Sequence, residues 1–189
     1  MLSPGFTMTS NAERSISGRR YMSMVPFSLA PFEFKSIFTL FFGYLGMCFL
    51  EQFQKNDTLY LVDPVMGDQG KFYSMVNIEF LEEMRKLSQM ADVITPNLTE
   101  LCFLSGVDYE SVIAYSMEAN YIDKIKSLCE KILSKAKKPQ TVIVTGILRE
   151  KEKKDYMGNL VVSKDQCFYV ETPYIGMGFS GTGDLFASV

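Results

Sequence analysis

The sequence predicts an α/β domain built on a mostly parallel sheet, and two observations carry that prediction. Three short runs, Thr58–Asp63 (TLYLVD), Asp92–Thr95 (DVIT) and Thr141–Thr145 (TVIVT), are apolar at every interior position. Strands that bury both faces read this way, whereas a half-solvated strand alternates. Between the runs lie helical patterns long enough to cross from one parallel strand to the next. The chain has 189 residues, 47% of them hydrophobic and 22% charged, which is the composition and length of one globular domain.

Residues 1–30 are rich in Ser, Met, Arg and Pro, hold no period of 2 or 3.6, and read as loop or disorder. Ile37–Thr39 reads as a strand, and Gly43-Tyr44-Leu45-Gly46 as a turn leading into a short helix through Phe53. Thr58–Asp63 is a buried strand ended by Pro64. Asn77 to Gln89 follows as a helix, with apolar Ile78, Leu81, Met84 and Leu87 at helical spacing. Asp92–Thr95 is a strand closed by Pro96. Asn97 then opens a helix that Gly106 stops. The longest helix spans about Met117 to Lys137, with Ile122, Ile125, Cys129, Ile132 and Leu133 on one face. After Thr141–Thr145, Leu160–Ser163 and Cys167–Glu171 form a hairpin across Lys164-Asp165. The chain stops a few residues into a helix that follows Gly181-Thr182-Gly183-Asp184, a place where a domain seldom ends.

The sequence contains no histidine. That excludes Ser-His-Asp and Cys-His nucleophiles, histidine-bound zinc and an imidazole base, leaving acid–base work to carboxylates, Lys, Tyr or Cys. A net charge of −3 predicts no nucleic-acid surface, and the short basic stretches near Lys135 and Lys151 read as solvated faces. Cys48, Cys102, Cys129 and Cys167 lie far apart without a C-x-x-C pair, as expected of free thiols in a reducing, cytoplasmic setting. The apolar run Ile37–Leu50 has 14 residues, short of the ~20 that span a bilayer, so no membrane segment is expected.

Ligands of parallel sheets bind beyond the C-terminal ends of the strands, which directs attention to the residues after Asp63, Thr95 and Thr145. Asp63-Pro64-Val65-Met66-Gly67-Asp68 places two carboxylates at one strand exit. Hard cations such as Mg²⁺ take one or two such carboxylates and complete their shell with water and phosphate oxygens, although Asp-Pro and Gly-Asp also form plain turns. Asn97 and Glu100 have the spacing of a capping box, which helix stability alone explains. Gly181-Thr182-Gly183-Asp184 puts a glycine turn and an acid at a helix N-terminus. Such a place suits an anion beside a base, or simply a favourable first-turn acid. Gly176 to Gly181 fits G-x-G-x-x-G in letters only, without the βαβ unit and distant acid of a dinucleotide site. Three acid-bearing exits converging on one edge favour a metal–phosphate site.

At these residues the sequence resembles the pyridoxal/pyridoxamine kinases of the ribokinase-like superfamily. The matching segments are Gly43-Tyr44-Leu45-Gly46, Asp63 to Asp68, Gly70-Lys71-Phe72-Tyr73, Ala91 to Glu100, Val144-Thr145-Gly146 and Gly181 to Phe186. They occur in the family's order over about residues 36–189, with residues 1–35 outside the resemblance. The resemblance implies a three-layer sandwich, cut short at both ends, that phosphorylates the 5′-hydroxyl of a vitamin B6 alcohol. It makes Asp184 the base and the backbone of Gly181, Thr182 and Gly183 the anion hole. It assigns Mg²⁺ to Asp68, Glu100 and Asp63, and ATP to Tyr73, Asn97, Thr145, Gly146 and Thr182. It also leaves room for a monovalent cation such as K⁺ and implies a homodimer. The hydroxymethylpyrimidine phosphate kinases share the Asp-Pro-Val-Met and Thr-Pro-Asn segments but characteristically carry Gly-Thr-Gly-Cys, so Asp184 favours the B6 branch. That sibling activity, or a non-catalytic nucleotide-binding remnant, is the alternative.

Overall fold

The computed structural model describes residues 21–22, 59–151, 153–174 and 176. Six strands form one sheet: β1 (Tyr21–Met22), β2 (Leu59–Val62), β5 (Val93–Ile94), β6 (Thr141–Lys151), β7 (Lys154–Val162) and β8 (Cys167–Pro173), side by side in that order. The pairs from β1 to β6 are parallel, and β6, β7 and β8 continue antiparallel. A separate hairpin joins β3 (Gly67–Asp68) to β4 (Lys71–Phe72). Among the described residues the helices are α1 (Ile78–Met90), α2 (Leu98–Ser105), α3 (Tyr109–Ile113) and α4 (Tyr121–Leu133).

Register explains where the core sits. Tyr60, Val62, Ile94, Val142, Val144, Leu160 and Val162 share one face of the sheet, and all are buried. They form one apolar cluster with Leu81, Met84 and Leu87 of α1, Leu98 and Leu101 of α2, and Ile125, Leu128 and Ile132 of α4. Each such side chain contributes on the order of 1.5–3 kcal/mol by leaving water. The neighbouring positions Leu59, Leu61, Val93, Ile143 and Val161 point the other way and are half-buried. Among the described residues, α1 touches α2 and α2 touches α4, so the expected helical cover is seen as one layer on one face.

Several boundaries differ from those read in the sequence. Within residues 1–30, Tyr21–Met22 is a strand beside Leu59–Tyr60, because backbone pairing over two residues needs no side-chain period. The long helix starts at Tyr121 rather than Met117. Successive i→i−3 bonds (Tyr115 N–H to Val112 O, Ser116 N–H to Ile113 O, Glu118 N–H to Tyr115 O) keep residues 114–120 in turns. It ends at Leu133, and Lys137 N–H instead bonds Gln89 O at the end of α1. β6 runs on through Gly146, which at φ +67° makes an irregularity in the ladder instead of a stop. The hairpin at Lys164-Asp165 is present but longer than expected, and Ser163 N–H closes it on Gln166 O. Cys102 and Cys129 are buried, Cys167 is exposed, and all three are free thiols. Among the described residues no helix is long and apolar enough to cross a membrane. The strand, turn and helix expected between Ile37 and Phe53 lie outside the described residues.

Gly106 closes α2 in a left-handed conformation (φ +67°), with Gly106 N–H bonded to Phe103 O and Val107 N–H to Cys102 O. A β-carbon there would meet nothing closer than Arg85 Nη2 at 3.6 Å, so backbone strain alone sets the cost. Gly106→Ala should lower stability to urea by about 1 kcal/mol, with Gly106→Asn costing less because asparagine tolerates that conformation.

Candidate active site

Two adjacent parallel strands, β2 and β5, end beside Thr145 of β6, and the three are stitched side by side. Thr95 N–H bonds Val62 O at 3.1 Å, and Thr145 N–H bonds Pro96 O at 3.0 Å. Asn97 and Thr145 form a parallel bridge. Proline follows both Asp63 and Thr95, which stops each strand from continuing and turns the chain out of the sheet. Asp63, Thr95, Asn97, Thr145 and Gly146 therefore share one edge.

Asp63 and Thr95 are buried there, and the Thr95 hydroxyl donates to Asp63 Oδ1 at 3.0 Å. Asn97 caps α2 by accepting from Glu100 N–H at 2.9 Å, and Glu100 Oε2 accepts from Asn97 N–H at 2.9 Å. The capping box expected from the spacing is present, and both of its side chains also reach further. Glu100 Oε1 accepts from Met66 N–H at 3.0 Å, and Asn97 Nδ2 donates to Gly67 O at 2.9 Å. Two residues of the helix start thus hold the segment that leaves β2 and enters the β3–β4 hairpin.

That hairpin carries Asp68 on its outer end, and Tyr73 follows it. Tyr73 N–H bonds Met66 O at 2.9 Å, and the residue is 47% exposed. Phe72 stacks on Phe103 of α2 with ring centroids 4.0 Å apart. Gly67 is fixed by space, since a β-carbon would lie 2.2 Å from Lys71 O. Asp68 is exposed, and its Oδ1 accepts from Gln69 N–H at 2.8 Å. Met66, fully buried, and the Phe72–Phe103 stack are contributors that sequence reading did not single out. Their signal was weak because a two-residue strand has no period to read.

Glu100 is the electrostatic centre of this edge. It is 4% exposed, and burial pushes its carboxyl up to about 8. The amides of Asn97 and Met66 pull the other way, and the neighbouring Asp63 adds to the rise. Desolvation outweighs the backbone hydrogen bonds of Asn97, Met66 and Gly67, as expected where no cation among the described residues faces the carboxyl. Among the described residues no three acidic or thiol side chains group together as a protein-only metal site requires. The donors at this edge are nevertheless oxygens, the preference of a hard cation that fills most of its shell with water and phosphate. The fit is to a cation shared with a phosphate ligand.

Sequence-predicted residues thus fall into three groups. Asp63, Asn97, Glu100, Thr145 and Gly146 meet at the strand exits, while Asp68 and Tyr73 ride on or beside the hairpin. Gly181, Thr182, Gly183 and Asp184 lie outside the described residues.

The Glu100 carboxyl sets a pH dependence whose sign is fixed. Its folded-state value lies above its unfolded one, so the folded chain holds a proton that the unfolded chain releases between about pH 4.5 and 8. Its contribution to stability is full below that window and falls as pH rises through it, by at most about 1.4 kcal/mol per pH unit. Urea unfolding from pH 5 to pH 8.5 should show this decline in the unsubstituted chain and a flatter profile in Glu100→Gln.

The family described as phosphomethylpyrimidine kinase matches residues 46–189. A pyridoxal kinase of Rubrobacter xylanophilus is 31% identical over 134 residues, which are 69% of this chain and 41% of that protein. A Bacteroides thetaiotaomicron protein, solved in a crystal form with pyridoxal, superposes with a TM-score of 0.64 at 29% identity, covering 90% of this chain and 53% of that one. A Leishmania donovani pyridoxal kinase, solved with ADP and pyridoxamine, shares the fold with a TM-score of 0.59 at 23% identity over 80% of this chain and 48% of that one. The chain spans about two fifths of the length of the curated relatives it matches. The fold is the ribokinase-like α/β sandwich of these neighbours, in part. With more than half of its residues matched, the chain belongs to the phosphomethylpyrimidine kinase family.

Proposed function

We propose that this chain belongs to an ATP-dependent kinase that phosphorylates the 5′-hydroxyl of pyridoxal, pyridoxine or pyridoxamine, in the cytoplasm and as a homodimer. The observation that carries the reading is the edge where Asp63, Thr95, Asn97 and Glu100 are tied together beside Thr145 and Gly146. It supplies oxygen donors and backbone at the strand exits, where such sheets take phosphate ligands. The pyridoxal kinase relatives and the pyridoxal in the Bacteroides crystal form support the B6 alcohol as acceptor.

Each residue then has a role. Asp184 accepts the proton of the 5′-hydroxyl, whose oxygen attacks the γ-phosphorus while the bond from that phosphorus to the β–γ bridging oxygen breaks and ADP leaves. The backbone amides of Gly181, Thr182 and Gly183 receive the oxygens of the moving phosphoryl group. Asp68, Glu100 and Asp63 would hold Mg²⁺, with a monovalent cation such as K⁺ beside them. Bound Mg²⁺ supplies neutralisation of phosphate charge. Asn97, Thr145, Gly146 and Thr182 would contact the nucleotide, and Tyr73 would contact its triphosphate. Such transfer depends on positioning and charge more than on an imidazole, which suits a chain without histidine.

The matched family description keeps a second acceptor in view, the hydroxymethyl group of a pyrimidine alcohol. Asp184, in place of the cysteine typical of that branch, favours the B6 alcohols. ADP release should depend on pyridoxal, exceed that with hydroxymethylpyrimidine, and fall by about 10²-fold or more in Asp184→Asn. Release that prefers the pyrimidine moves the chain to the sibling activity. A folded chain with no release above Asp184→Asn is a non-catalytic remnant.

A further inference from the structure

The β3–β4 hairpin is anchored at two places by different groups. Its base is held by Glu100, through Met66 N–H, and by Asn97, through Gly67 O. Its tip is a two-residue loop, because Asp68 pairs with Lys71 across Gln69 and Gly70. Both loop residues have positive φ, +49° at Gln69 and +76° at Gly70. That is the geometry of the tight hairpin turn that asparagine or glycine usually opens, and Gln69 bears a β-carbon in a region that disfavours one.

Such a conformation persists only where surrounding groups hold it. Gly70 N–H donates to Thr99 Oγ1 at 3.0 Å, and Thr99 is 2% exposed within α2, so the acceptor sits on a rigid element. The Tyr109 ring lies against Gly70 so closely that a β-carbon would fall 2.7 Å from its Cδ1. Inside the loop, Gln69 N–H donates to Asp68 Oδ1 at 2.8 Å. The direction of the Asp68 carboxylate therefore follows the peptide of Gln69, which follows the placement of Gly70, which the Thr99 hydroxyl sets.

We propose that Thr99 is a positioning residue that aims Asp68 at the cation of a Mg²⁺–nucleotide. This rests on the phosphoryl-transfer reading of the same edge. Thr99 touches neither nucleotide nor cation and acts only through the hairpin tip. Without its acceptor the base stays anchored, Gln69 relaxes toward negative φ, and the Asp68 carboxylate turns away.

The test uses the full chain with Thr99→Val, which keeps the shape and removes the acceptor, Thr99→Ser, which restores it, Asp68→Asn, and the Thr99→Val, Asp68→Asn pair. Hydrogen exchange at the Gly70 amide is followed without ligand, and Mg²⁺–ADP binding is followed by calorimetry. Thr99→Val should speed Gly70 exchange and weaken Mg²⁺–ADP each by about fivefold, the loss expected for one hydrogen bond. Thr99→Ser should recover both, and Thr99→Val should add nothing in the Asp68→Asn background. Gly70 exchange indifferent to Thr99→Val, or equal weakening with and without Asp68, overturns the proposal. An unsubstituted chain that takes up no Mg²⁺–ADP, yet whose Gly70 exchange still depends on Thr99, overturns the kinase reading and leaves the tip anchor standing.

Discussion

The buried Glu100 carboxyl group joins the pieces of the strand-exit edge. One oxygen holds Met66 N–H on the segment leaving β2, and the other holds Asn97 N–H at the start of α2. Hydrogen bonds to a charged group contribute about 1.5–3 kcal/mol each, while effective desolvation of an ion costs several. The rise of the Glu100 carboxyl to about 8 shows desolvation prevailing. The proposed cation, arriving with a ligand, would offset that cost, and the two backbone bonds keep the group's position fixed meanwhile. Stability is given up locally so that the edge is preformed.

Around that carboxylate, rigidity is graded. The strand exits are locked by backbone bonds between β2, β5 and β6, and the Asp63–Thr95 pair is buried with them. The hairpin is attached to α2 through side chains only, by Glu100, Asn97, Thr99 and the Phe103–Phe72 stack. Four contacts from consecutive turns of one short helix make α2 the template on which the hairpin is laid. The helix is almost wholly buried and capped at both ends, as a template should be.

What the sequence made legible follows from local chemistry. Asn97 and Glu100 announced the capping box, Gly106 the helix stop, and the prolines after Asp63 and Thr95 the strand exits. These are short-range rules that act within four residues. What it hid depends on distant partners. Nothing near Glu100 in the chain says that its second oxygen reaches Met66, 34 positions earlier. The Met117 helix start failed because apolar spacing cannot tell a helix from a string of i→i−3 turns. The Thr145 strand end failed because a glycine inside a strand marks a bulge as readily as an end. The hairpin did leave one sign, the Gly70 that completes a two-residue turn, though Gln69 before it weakens the signal.

In the proposed function, the edge built around Glu100 receives a nucleotide together with a cation. Amide chemical shifts of the ¹⁵N-labelled chain, titrated with Mg²⁺ and a non-hydrolysable ATP analogue, test it most directly. The shifts are expected to concentrate at Met66, Gly67, Asp68, Asn97, Glu100, Thr145 and Gly146. Unmoved amides at those seven positions, with saturable shifts elsewhere, would contradict it.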